Sequence, residues 1–386
     1  MYQITYGCNL DIMEKNALEN FESDKNSYAP HPRKTVKLVG HVHAREMFID
    51  SYQSGKLHHA WLLHGPKGIG KATLAWELTK LLLNDSTSSK LSGPNYKTLI
   101  TQRIEALSEP SIFLCRKQFD KTRKKFSQDI SVDEVRRINH FFSLSNPDNL
   151  WRIVIIDPVD DLSNSAANAL LKILEEPPEG GIFFLICKNK EHVLPTILSR
   201  CRLLSCSFLE QDEFTEILTQ LKIFDNQQVD RNQLFSLTNG SISKAIDMFL
   251  NDGLNIFKEI LNIINFENEI DRKKIWLLLN KKNNAGLTRE YHIFISEVLL
   301  LALTRISTAL AGKNHFWQLI KEKEIIQFYK KYDESYFPFA MIHSALLLDF
   351  KNTDQTNLDP LNTLFIAFLK IEKVLLKYKI TAQRKN

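Results

Sequence analysis

The sequence predicts an α/β fold: a doubly wound parallel sheet, then a small helical segment, then an all-α C-terminal domain. Three observations predict it. Helical patterns alternate with continuous apolar runs, "AWLLH", "WRIVIID" and "GIFFLIC", as strands buried on both faces require. A glycine-rich turn joins the first run to a helix. After Cys206 the strand signal fades and helical spacing takes over.

The elements follow in order. Residues 1–33 are polar and lack a sustained period, so they read as a flexible arm. The α/β domain spans 34–207. It opens with "AWLLH", and Leu74, Ala75, Leu78, Leu81 and Leu82 then recur at helical spacing. Residues 84–99 are rich in Ser, Gly and Asn and read as a loop. Ser131 and Glu134 have the spacing of a capping box, before a helix whose apolar face is Val135, Ile138 and Phe142. "SNSAANALLKILEEPP" is a helix with Ser163 as N-cap, stopped by Pro177 and Pro178. Residues 208–252 form a small helical lid with a break at "TNGS". Residues 253–386 are a helical domain, where Leu361, Leu364, Phe365, Phe368, Ile371 and Leu375 trace one face.

With 386 residues the chain has room for two or three domains. Its 44% hydrophobic and 25% charged residues are ordinary for a globular protein, and a net charge of +5 permits an acidic partner without demanding one. Cys8, Cys115, Cys187, Cys201 and Cys206 are odd in number and form no C-x-x-C pair, which argues against a disulfide framework and a four-cysteine zinc site. A reducing cytoplasm fits this usage. No basic region followed by an apolar one marks a signal peptide, and the richest apolar run, "EVLLLAL", is interrupted soon after by Thr304 and Arg305.

The stretch "LLHGPKGIGKATLAWEL" carries the chemistry. Gly65, Gly70 and Lys71 fit G-x-x-x-x-G-K-[ST], with Gly68 between them. Glycines let backbone N–H groups approach phosphate oxygens, and Lys71 supplies a point charge. The Ser or Thr that should hold Mg²⁺ is replaced by Ala72. Thr73 offers a hydroxyl one residue late, which a helix turns about 100° away. "RIVIIDPVDD" supplies an Asp at a strand end, Asp157, where such sites keep their Mg²⁺-associated carboxylate. The next position, where many hydrolysing proteins of this fold keep a Glu, is Pro158, which cannot accept a proton. Asp160 and Asp161 lie on a different part of the turn. With Ala72 and Pro158 both altered, hydrolysis by this chain alone is not expected, whereas nucleotide binding remains open.

At "HHAWLLHGPKGIGKATLAWEL", "ISVDEVRRI", "WRIVIID", "SAANALLKILEEPP" and "LPTILSRCR" the sequence resembles the clamp-loader AAA+ subunits of DNA replication, most nearly the delta-prime type of bacterial DNA polymerase III. The resemblance runs from about Leu38 to about Ala245, and "ANALLKILEEPP" followed by "ILSRCR" is its most specific part. It implies an AAA+ P-loop core, a helical lid and a C-terminal collar. It also implies a hetero-pentamer that loads the sliding clamp onto primer-template DNA. Delta-prime is the rigid, non-hydrolysing member of that ring. ATP or ADP bound without hydrolysis stays open. In the family the Arg of the S-R-C element enters a neighbour's ATP site, which here is Arg200. Some bacterial relatives carry a four-cysteine zinc module; only Cys115 falls in that region, so no zinc is expected. The family's two sensor positions fall at Lys188 or Asn189, and at Lys244 in "GSISKA". A second reading is a catalytically active ATPase of the same fold, which Ala72 and Pro158 disfavour. A third, a small-molecule kinase, leaves the S-R-C element unexplained.

"FLCRKQFDKTRKKF" interleaves Arg116, Lys117, Lys121, Arg123, Lys124 and Lys125 with Phe113, Phe119 and Phe126. Such a pattern can bind single strands, but a solvated loop with phenylalanines tucked inward is favoured. Arg136, Arg137 and Lys172 are candidates for phosphate-directed contact with DNA.

Overall fold

The structure is a computed structural model. It describes residues 22–24, 29–35, 37–84, 98–120, 122, 125–144, 151–221, 224, 230–264, 270–281, 288–313, 319–332, 337–356 and 358–385. Within it the chain forms two compact units, the first 1–227 with 240–243 and the second 228–239 with 244–386. The segment expected as a lid, 208–252, is divided between them.

The first unit is built on a five-stranded, all-parallel sheet in the order β2-β5-β6-β1-β7. The strands are β1 (Ala60–His64), β2 (Ile112–Cys115), β5 (Arg152–Ile156), β6 (Gly181–Ile186) and β7 (Arg202–Ser205). Between β2 and β5 lies a short antiparallel ribbon, β3 (Phe119–Asp120) with β4 (Lys125–Phe126). β1, β5 and β6 are the three apolar runs of the sequence, and they lie in the middle of the sheet because both their faces are covered. On one face Trp61, Leu63, Ile153, Ile155 and Phe184 join Leu74, Leu78, Leu81 and Leu82 of the helix Lys71–Asn84. On the other, Leu62, Val154, Ile156 and Leu185 meet Val135, Ile138, Ala166 and Leu170 of the helices Val132–Ser143 and Asn164–Glu175. Fully burying each such side chain is worth roughly 1.5–3 kcal/mol.

Two expected caps are present: Ser131 Oγ accepts from Glu134 N, and Ser163 Oγ accepts from Ala166 N. Phe141 is buried on the face assigned to Phe142, which is half-buried against the Phe183 ring. β2 and β7, of four residues each, carry no apolar run long enough to announce a strand; they form because their backbones complete the edges of a sheet that already exists.

The described part of the expected flexible arm is docked. His31 and Arg33 are buried. Arg33 Nη1 lies 2.8 Å from Glu22, its Nε donates to Glu105 O at 2.9 Å, and His31 Nε2 meets Asp24 at 3.0 Å. Asp24 also pairs with Arg116. Polarity without a period did not mean freedom here, because each charge has a buried partner of opposite sign. Residues 1–21 and 85–97, which include most of the arm, Cys8 and most of the expected Ser-rich loop, lie outside the described residues.

The second unit is helical. Its longest apolar helix, Thr288–Leu310, packs against the helices Gly253–Ile263, Ile320–Tyr332, Phe337–Gln355 and Pro360–Lys385. By length and composition the stretch Arg289–Leu310 would suffice to cross a membrane, contrary to the reading from "EVLLLAL", but most of it is buried within the fold. Arg305 and Glu322, both buried, pair at 2.7 Å. Leu364, Phe368 and Ile371 are buried in this unit's own core, so the last helix uses that face within the chain.

Candidate nucleotide-binding loop and arginine element

The loop between β1 and the helix Lys71–Asn84 has the backbone its glycines predict. Gly65, Gly68 and Gly70 have φ of 148°, 78° and 103°. A Cβ on Gly65 would stand 2.2 Å from Cys206 O, and one on Gly68 2.5 Å from Ser243 Cβ. The close approach comes from the segment 240–243: Ser241 Oγ donates to Lys67 O at 2.9 Å, and Ser243 N donates to Gly68 O at 3.3 Å. His41 braces the loop from another side, its Nε2–H donating to Ile69 O at 2.7 Å. Burial lowers the His41 pKa, the bond to Ile69 opposing it, and among the described residues its buried Nδ1 has no partner.

Lys71 is 6% exposed. Its ammonium donates to Gly65 O at 2.8 Å and to Pro66 O, so it is folded back onto its own loop. Burial lowers its pKa, while the nearby Cys206, Cys187, Asp157 and Asp160 act in the opposite sense. Ala72 is half-buried and packs on the core, and Thr73 follows it on the same helix. Asp157 immediately follows β5, and Pro158 follows it through a cis peptide bond. Burial, reinforced by Asp24, pushes the Asp157 carboxyl up to about 7.

The turn after Asp157 has a job of its own. Asp160 accepts from the backbone N–H groups of Lys188 and Asn189 at 2.9 and 3.2 Å. Asp161 takes Lys188 Nζ and Lys117 Nζ, each at 2.9 Å. The Lys188 ammonium is therefore committed to this acidic turn, whereas Asn189 gives it only a backbone N–H and accepts from Glu191 N through its side chain. Opposing the burial that raises it, these hydrogen bonds hold Asp161 below the usual carboxylate range.

Arg200 follows the short helix Pro195–Leu198, which Leu194 and Pro195 start at the end of the β6 connection. Its Nη2 donates to Glu175 Oε1 at 2.7 Å and its Nη1 to Thr196 O at 2.9 Å. Its side chain is 34% exposed, and neither of these partners belongs to the phosphate loop. Lys244 is exposed and belongs to the second unit.

Nucleotide and Mg²⁺ fit these residues unequally. The three glycines and Lys71 would hold phosphate oxygens. The cation half does not fit: Ala72 has no ligand atom, and among the described residues no three His, Cys, Asp or Glu side chains converge on one point. Desolvation pushes the thiols away from reactivity, the buried Cys187 and Cys206 up to about 11 and the half-buried Cys201 up to about 12. In the basic segment Arg116 and Lys117 are spent on Asp24 and Asp161, and Phe119 packs edge-on to Phe126. Arg136 and Arg137 pair with Asp133 and Glu134 of their own helix. Lys121, Arg123 and Lys124 lie outside the described residues.

Sequence reasoning missed His41, Ser241 and Ser243 as parts of the loop. Their signal was present only as the short motifs "GHVH" and "GSIS", which have no period to detect.

Comparison with known proteins follows this geometry. The family described as "DNA polymerase III, delta subunit" matches residues 40–210. The chain is 28% identical over 308 residues to DNA polymerase III subunit gamma of Buchnera aphidicola from Acyrthosiphon pisum, covering 72% of this chain and 82% of that one. It is 31% identical over 158 residues to DNA polymerase III subunit delta' of Escherichia coli, covering 41% and 45%. Among solved structures, a gamma subunit-related protein of Thermotoga maritima aligns with 85% of this chain and 99% of its own, at 15% identity and a TM-score of 0.45.

Proposed function

We propose that the chain is a clamp-loader subunit of the DNA polymerase III family and, within it, a delta-prime-type member, non-hydrolysing itself, that donates Arg200 to a neighbour's ATP site. The observation that carries the proposal is the pairing of two losses with one retention. Ala72 and Pro158 remove the metal hydroxyl and the proton acceptor, while Arg200 stays partly exposed at the end of its own short helix. In the neighbour's site the planar guanidinium would neutralise charge on the transferring phosphoryl group. The phosphate loop would serve as a rigid element, with nucleotide optional and no zinc required. Partners are the other loader subunits in a hetero-pentamer, the sliding clamp, and primer-template DNA through its phosphates. The place of action is the cytoplasm, as for bacterial replication proteins.

The test is DNA- and clamp-stimulated ATP turnover of the reconstituted loader with Arg200→Ala. A fall of about ten-fold or more, with assembly unchanged, supports the proposal. Unchanged turnover would reduce Arg200 to a structural role. A second reading, an active ATPase, draws on the intact glycines and Lys71. Turnover by the isolated chain that Lys71→Ala abolishes would favour it.

A further inference from the structure

The helix Arg272–Leu279, "RKKIWLLL", is built in two halves that disagree about solvent. Ile275, Leu278 and Leu279 are buried. Around the opposite side, Lys273, Trp276, Leu277 and Asn280 share one exposed face, since positions three, four and seven apart lie one above another. Trp276 is 55% exposed and Leu277 60%. Arg272 and Lys274, also exposed, flank that face at about 100° to either side of Lys273.

Stability does not account for this arrangement. Three cations occupy the first turn, where the helix dipole is positive and each is unfavourable by roughly 0.3–1 kcal/mol. The backbone N–H groups of Lys273 and Lys274 are already satisfied by Asp271 Oδ1, at 2.9 and 3.4 Å, so the side chains are what the turn offers outward. Among the described residues none of the three cations is in a salt bridge, whereas Lys281, just beyond the helix, is held by Glu259 and Asp252. Glu267 and Glu269, which precede the helix, lie outside the described residues.

We propose that this face, with Trp276 at its centre and Arg272, Lys273 and Lys274 around it, is a docking surface for single-stranded nucleic acid. An exposed indole offers a stacking platform to any base, and the surrounding cations meet the phosphates on either side of it. Protein interfaces also use Trp and Arg but are depleted in Lys, and two of the three cations here are Lys. The run from Lys273 to Asn280 is about 10 Å long, the reach of one or two nucleotides, so the contact is local and without sequence preference.

The experiment is fluorescence anisotropy of a labelled oligothymidylate titrated with the full chain. It compares wild type, Trp276→Ala, Trp276→Phe and the triple change Arg272→Glu, Lys273→Glu, Lys274→Glu. All are solvent-facing, and circular dichroism confirms folding. Trp276→Ala should weaken binding about five-fold or more, while Trp276→Phe, which keeps a stacking ring, stays near wild type. The triple change should weaken binding and lower the slope of log affinity against log salt by about 2. No binding by wild type, or equal binding by all four proteins, overturns the proposal. Polyglutamate binding as tightly as the oligonucleotide, with no dependence on Trp276, also overturns it and assigns the face to acidic protein.

Discussion

The guanidinium of Arg200 is held by Oε1 of Glu175, 2.7 Å from Nη2, so the arginine of the S-R-C element rests on the last residue of the helix Asn164–Glu175. The two motifs that make the sequence most specific thus meet in one ion pair. Because both groups are partly exposed, the pair contributes at most about 1 kcal/mol to folding, and its use is orientation. Glu175→Gln should leave thermal unfolding unchanged and lower the turnover of the assembled loader by about three-fold or more. Unaltered turnover would separate Glu175 from Arg200's role.

Lys71 spends its charge on Gly65 O and Pro66 O. Lys71→Ala should destabilise the chain by about 1–3 kcal/mol in urea unfolding, since two carbonyls lose their donor. Loader turnover should stay within about two-fold, the scatter of a silent site. A ten-fold loss of turnover in a folded variant would make the site active.

Asp157 gives a pH dependence whose sign is fixed by its raised pKa of about 7. An exposed Asp titrates near 3.9, so between roughly 4 and 7 the unfolded chain has released a proton that the folded chain retains. This group therefore costs stability progressively as pH rises through that window, on the order of 4 kcal/mol in all. Asp157→Asn should be more stable than wild type at about pH 8 and equal to it below about pH 4, by denaturant midpoints. A variant weaker at high pH would refute the burial account.

Gly68 has a left-handed backbone and meets Ser243 and Ser241. Gly68→Ala should cost about 1–3 kcal/mol, from φ strain and overpacking together. Gly55, also left-handed, has none of the described residues within 4 Å of the position its Cβ would take, so Gly55→Ala isolates the strain alone and should cost less.

In the second unit Arg305 donates to Glu322 and to Ser236 O, the latter at 2.7 Å. Glu322→Ala strands a buried charge and should cost about 3–5 kcal/mol. The double change Arg305→Met, Glu322→Leu removes both charges and should recover most of that loss in the same unfolding measurement.

The sequence alone determined the central strands β1, β5 and β6, the helices capped by Ser131 and Ser163, and the two altered positions Ala72 and Pro158. Each is a local fact: apolar continuity, a hydroxyl three residues before an N–H, a missing atom. It also determined the glycine backbone of the loop, since those φ values exclude most side chains. Tertiary structure decided the rest. β2 and β7 are strands only because a neighbouring backbone offers hydrogen bonds. Lys188 is drawn to Asp161 and Arg200 to Glu175 across 27 and 25 residues, and Ser241 reaches Lys67 across 174. Pairings at such separations depend on where the fold brings the partners, and neither residue type nor local period records that.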